Sequence, residues 1–135
     1  MDFFRGRLID HVHLRVRNLE ASKRFYRAAL EALGKAQAIS ESEDHFSADE
    51  FWLDRTDKST SSVHLAFQAK DRNAVHAFYQ ATLAAGGKDN GAPGERHYHP
   101  GYYAAFVLDP DGNNIEAVHY GAFVASADEI VIKPK

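Results

Sequence analysis

The chain has 135 residues, 44% of them hydrophobic, with 16 basic and 19 acidic side chains, a size that suits one packed domain and not two. Charges of both signs are interspersed to a net −3 without a basic stripe, which argues against nucleic acid as a partner, and no apolar run reaches the roughly 18 residues of a membrane span. The start, MDFFRGRLID, lacks the layout of a signal peptide, so a cytoplasmic protein without a membrane partner is expected; the absence of cysteine leaves eight histidines and the carboxylates as ligands and catalysts.

Taken in chain order, the elements repeat. IDHVHLRVRNLEASKRFYRAALEALG, from Ile9 to Gly34, is laid out as strand, polar turn, amphipathic helix and glycine. Val12, Leu14 and Val16 alternate as in a strand, Asn18 begins the helix, and Phe25, Tyr26, Ala29, Leu30 and Leu33 recur at helical spacing. Ala36 to Ile39, Asp44 to Ser47 and Glu50 to Asp54 follow as three short strands, and Thr56 to Ser62 is a polar linker. SVHLAFQAKDRNAVHAFYQATLAAGG, from Ser62 to Gly87, then repeats the first unit: Leu65, Phe67 and Ala69 in the strand, Asp71 or Asn73 as cap, and Val75, Phe78, Tyr79, Thr82 and Leu83 along the helix. Strands are expected at Lys88 to Gly91, Tyr102 to Leu108 and Asn114 to His119, the last two joined by a hairpin at Asp111-Gly112. APGERHYHPG, from Ala92 to Gly101, reads as a lid or pocket wall, or as a plain surface loop. One domain over residues 1–135 is expected, with modules at about 7–55 and 62–120 and a tail at 121–135 that adds an edge strand or reaches a second subunit, Glu129 to Lys133 in particular.

The register of the repeat singles out histidines. A shift of 51 superposes the two VHL triplets and pairs His13 with His64; a shift of 53 superposes the FY doublets and Gly34 on Gly87, and pairs His11 with His64. The second shift fits helix, closing glycine and strand together and is preferred. Parity then sets His11, His13 and Arg15 on the side of their strand away from the helix, with His64, Ala66 and Gln68 likewise. In DPDGNNIEAVHY, Ile115 and Ala117 share one face, which leaves Glu116 on the other, either solvated or paired.

The paired βαβββ layout, the doublets Phe25-Tyr26 and Phe78-Tyr79, and DPDGNNIE at Asp109 to Glu116 resemble the vicinal oxygen chelate superfamily, which includes glyoxalase I, the bleomycin and fosfomycin resistance proteins and the extradiol dioxygenases. The resemblance covers about Leu8 to Tyr120 and implies an α+β fold in which two βαβββ modules form an incomplete barrel, helices outside and metal inside. It carries the ligand roles onto His11, His64 and Glu116, a two-His-one-carboxylate set suited to Fe, Mn, Ni or Zn. The open alternative is that these histidines hydrogen-bond Glu116 with no metal. Glyoxalase I members have a fourth ligand where this chain has Trp52, which cannot ligate, so three protein ligands are implied, with Glu50 a weak substitute. His13, Arg15 and Trp52 are assigned to the substrate pocket. Tyr102 or Tyr103 faces inward to donate to an oxyanion, with Tyr103 favoured, and His97 and His99 are candidate acids or bases.

The resemblance implies a metal-dependent enzyme of lyase, isomerase or ring-cleaving dioxygenase type that acts on a small molecule. The alternative is a non-catalytic binder of a small molecule or antibiotic. Open sheet edges in a chain of this size point to a homodimer.

Overall fold

The computed structural model describes residues 3–5, 8–122, 127 and 130–133. Its elements run β1 (Phe3–Arg5), β2 (Val12–Val16), α1 (Leu19–Ala32), a short 3-10 turn (Ala36–Ala38), β3 (Ile39–Glu41), β4 (His45–Ala48), β5 (Phe51–Arg55), β6 (His64–Gln68), α2 (Arg72–Ala84), β7 (Lys88–Glu95), β8 (Tyr103–Leu108), β9 (Asn114–His119) and β10 (Ile130–Ile132). They form two four-stranded mixed sheets, ordered β2-β5-β4-β3 and β6-β9-β8-β7, each opened by a parallel pair and continued antiparallel. This is the expected α+β layout of two βαβββ modules, and the sheets do not close into a barrel. Among the described residues no helix is long and apolar enough to cross a membrane.

Each helix starts where a short polar side chain can satisfy a backbone donor. Asn18 accepts from the Ala21 amide at 3.0 Å and Asp71 from the Ala74 amide at 2.7 Å. The inward stripe of α1, Leu19, Ser22, Phe25, Tyr26, Ala29 and Leu30, meets that of α2, Ala74, Val75, Phe78 and Thr82, and the helices pack on each other. Beneath them Leu14, Val16, Phe46, Leu53, Val107, Ile115 and Ala117 complete one core shared by both modules. Full burial of Phe25, Phe46 and Phe78 contributes about 1.5–3 kcal/mol each. Gly87 permits close packing of helix on sheet, since a Cβ there would lie 2.5 Å from Val107 and 2.7 Å from Phe25.

The repeat is less regular than its sequence. The caps Asn18 and Asp71 obey the shift of 53, but the closing glycine equivalent to Gly34 (φ +76°) is Gly86 (φ +98°), not Gly87, because α1 is one residue longer than α2. Ala36–Ala38 forms a 3-10 turn where a strand was expected; Ala36 and Gln37 are exposed, and neither residue type favours a pleated, half-buried surface. β7 continues to Glu95 and so takes in the first part of the expected loop. In the tail, Ile130–Ile132 pairs antiparallel with Phe3–Arg5, while Glu129 lies outside the described residues.

The turn DPDGN joins the modules. Asp109 is 4% exposed and accepts from the Asp111 and Asn113 amides, from Asn113 Nδ2 at 2.9 Å and from the Tyr26 hydroxyl of α1 at 2.5 Å. Asn113 Oδ1 accepts from the Val63 amide at 2.8 Å, and the Asp111 carboxylate accepts from the Arg17 amide.

Candidate functional site

The alternation of β9 places Ile115 and Ala117 in the core under the helices and Glu116 and Val118 on the opposite, open face. On that face β8 contributes Ala104 and Phe106, and Tyr102 packs on them from just outside the strand. Glu116 is 1% exposed and, as a buried carboxylate, needs compensation. It has two partners: His64 Nε2 donates to Oε1 at 2.7 Å, and the Tyr102 hydroxyl donates to Oε2. Both oxygens are thus fixed, while the His64 side chain stays 55% exposed.

Burial, and after it the bond to Glu116, hold the Tyr102 phenol above its ordinary value of 10, so it remains a protonated donor. Around it stands an aromatic wall. Tyr98 and His99 meet the Tyr102 ring edge-on at 4.9 and 5.1 Å, and Tyr120 lies 5.7 Å from it. The Phe106 ring lies 5.9 Å from His64.

The expected inward tyrosine was the wrong one of the pair. Tyr103 lies on the helix side, where its hydroxyl bonds His76 Nε2 at 2.5 Å and Arg72 lies 4.4 Å over its ring. Tyr102 is the phenol that meets Glu116. Both faces of β8 are apolar and buried, Ala104 and Phe106 on one side, Ala105 and Val107 on the other, so alternation could not reveal which tyrosine faces the site.

The first sheet carries a separate group of polar residues. His13 Nε2 donates to Asp54 Oδ1 at 2.7 Å, both about one-third exposed, and His45 stacks on Trp52 at 4.3 Å with the rings 4° from parallel. Val12 pairs with Phe51 and Leu65 with Ile115, so Trp52 sits opposite His13 as Glu116 sits opposite Ala66. Trp52 therefore occupies in the first module the place of Glu116 in the second, and it is 39% exposed. Arg15 is exposed on β2. His11 is also exposed and bonds its neighbour Asp10 at 2.8 Å. His97 and His99 are exposed, and Glu50 is half-buried.

Two of the three expected ligands are therefore together within the chain and His11 is not among them. Among the described residues, no group of three or more His, Cys, Asp or Glu side chains is placed to hold a metal ion. His64 and Glu116 nevertheless fit such an ion in kind: an imidazole nitrogen and a carboxylate oxygen face each other, and a phenol secures the second oxygen. The sequence reading also missed Asp54 beside His13 and the stacking partner His45, which 41 and 7 residues of separation conceal.

Comparison with known proteins gives a consistent outcome. The model of the Glyoxalase/Bleomycin resistance protein/Dioxygenase superfamily matches residues 8–117. A glyoxalase/bleomycin resistance protein from Albidiferax ferrireducens T118 is similar at 29% identity and TM-score 0.65, over 83% of this chain and 98% of that one. A glyoxalase-related enzyme from Fulvimarina pelagi shares the fold at 21% identity and TM-score 0.66, over 96% and 100% of the two chains. The glyoxalase I mutant V278E from Zea mays does so at 20% identity and TM-score 0.57, over 90% of this chain and 46% of that one. No curated protein matches the sequence.

Proposed function

The chain belongs to the glyoxalase/bleomycin resistance protein/dioxygenase superfamily, and we propose that it is a metal-dependent enzyme whose reaction takes place over the His64–Glu116 pair. The observation that carries this reading is the fully buried carboxylate of Glu116, held at one oxygen by His64 and at the other by Tyr102. A carboxylate oriented this way beside a half-exposed imidazole is ready to ligate.

His11 is the third ligand, supplied by a second copy of the chain. It stands exposed on the module that lacks a carboxylate at the Trp52 position, with Trp52 39% exposed on the first sheet and the His64 side chain 55% exposed on the second. A symmetric homodimer that apposes the first sheet of one copy to the second sheet of the other makes two equivalent sites. A divalent Fe, Mn, Ni or Zn ion there supplies Lewis acidity to two neighbouring oxygens of a small substrate. The chain's own groups do the rest. Tyr102, kept protonated, orients the Glu116 carboxylate; His13, oriented by Asp54, takes or returns a proton; Tyr98, His99 and Tyr120 offer aromatic surface beside Tyr102 for the substrate to pack on.

Ligand binding without catalysis is the second reading. It is favoured by the direct His64–Glu116 bond, which satisfies both groups by itself.

A complementation experiment tests the shared site. His11→Ala and Glu116→Gln homodimers should each hold no tightly bound metal. Mixed and re-equilibrated, they should recover about one quarter of the native content, because a heterodimer keeps one intact site of two. No recovery in heterodimers shown to have formed contradicts the assembly.

A further inference from the structure

We infer that Arg96 is an oxyanion-recognition residue of the same site, so that the small molecule bound there carries a carboxylate, phosphonate or like group in addition to its chelating oxygens. This rests on the proposed site at His64 and Glu116 and specifies the class of molecule that site takes.

Arg96 follows β7, and its guanidinium folds back over the open face of the second sheet. Its Cζ lies 5.3 Å from the centroid of Phe106, the same ring that lies 5.9 Å from His64. Two glycines of β7 make room for it. A Cβ at Gly94 would come within 3.0 Å of Arg96 Nη1, and one at Gly91 within 3.3 Å of Nη2 and 3.0 Å of Phe106 Cδ2. The guanidinium is held in this track by neutral acceptors alone: Nη2 donates to the Ala92 carbonyl at 2.7 Å and Nη1 to the Glu95 carbonyl at 3.3 Å. Among the described residues it makes no ion pair, although Arg27 and Arg72 each pair with a glutamate.

A cation fixed by carbonyls and stacked on a ring has lost its freedom but kept its charge. Guanidinium presents five donors in a rigid fork, two carbonyl bonds leave part of that fork unused, and a planar oxyanion is what it matches. Arg15, which the sequence reading assigned to the substrate pocket, is exposed on the first sheet.

The experiment compares catechol with 3,4-dihydroxybenzoate, which offer the same neighbouring oxygens and differ by one carboxylate, by calorimetric titration of zinc-loaded and metal-free protein. The native protein should bind the benzoate about 10- to 100-fold more tightly than catechol. Arg96→Gln should abolish that preference and leave catechol affinity unchanged. Gly94→Ala, at a residue without a positive φ, should reduce the preference by displacing the guanidinium while keeping its charge. Equal affinity for the two probes, binding of neither, or a preference that survives Arg96→Gln overturns the inference. The metal reading is judged apart: if catechol binds equally with and without zinc, that reading fails, while an Arg96-dependent preference for the benzoate still stands.

Discussion

The hydroxyl of Tyr26, in the middle of the first helix, donates to Oδ2 of Asp109, in the last turn of the second module, across 2.5 Å of fully buried space. That bond makes the DPDGN turn a joint between modules. Tyr26→Phe should therefore cost about 1–3 kcal/mol of stability in urea unfolding, since it leaves a buried carboxylate oxygen without one of its donors. A change within error contradicts the role of the joint.

The same bond gives the fold a limit in alkali. Burial, then the neighbouring Asp109, raise the Tyr26 phenol well above its ordinary value of 10, whereas the unfolded chain titrates near that value. Above pH 10 the unfolded state releases a proton that the folded state retains, so stability is fully present below that pH and is lost as the pH rises through the folded value. Tyr26→Phe should be less stable at pH 8 yet lose stability less steeply between pH 9 and 11. Parallel curves for the two proteins contradict this.

Tyr102 and Tyr103 should separate cleanly. Tyr102→Phe removes a donor from Glu116 and should weaken metal binding by about 10- to 100-fold. Tyr103→Phe removes only the bond to His76 and should leave metal affinity unchanged at a stability cost of about 1 kcal/mol. Competition with a fluorescent zinc chelator reads the first, and thermal unfolding the second.

What was legible in the sequence follows from where its patterns are one-sided. Val12, Leu14 and Val16 alternate with His13 and Arg15, so the face of β2 that meets the helix could be read directly, as could the capping roles of Asn18 and Asp71. DPDGNNIE fixed both a turn and the outward side of Glu116. The face of β8 could not be read, because apolar residues occupy both its sides. Nor could Arg96 be found from its neighbours: its position depends on glycines that leave space instead of making contact, and on a β7 that runs farther than its composition suggests. That His11 stands apart from His64 and Glu116 within the chain depends on how the two modules are placed, which no local pattern encodes.

Trp52 offers an intrinsic probe of assembly, since it is the chain's one tryptophan and is 39% exposed on the open face of the first sheet. If a second copy covers that face, its emission should move to the blue as concentration rises from nanomolar to micromolar. Light scattering over the same range should report two chains of 15.1 kDa. A single chain at micromolar concentration, with emission that does not move, contradicts the homodimer.

The most direct measurement is the metal content of untagged protein purified without chelator, reconstituted in turn with Fe(II), Mn(II), Ni(II) and Zn(II), and analysed beside Glu116→Gln. The account predicts close to one ion per chain for at least one of these metals in the native protein and none retained by Glu116→Gln. Native protein that retains no metal after every reconstitution, or Glu116→Gln that retains as much as the native chain, would contradict it.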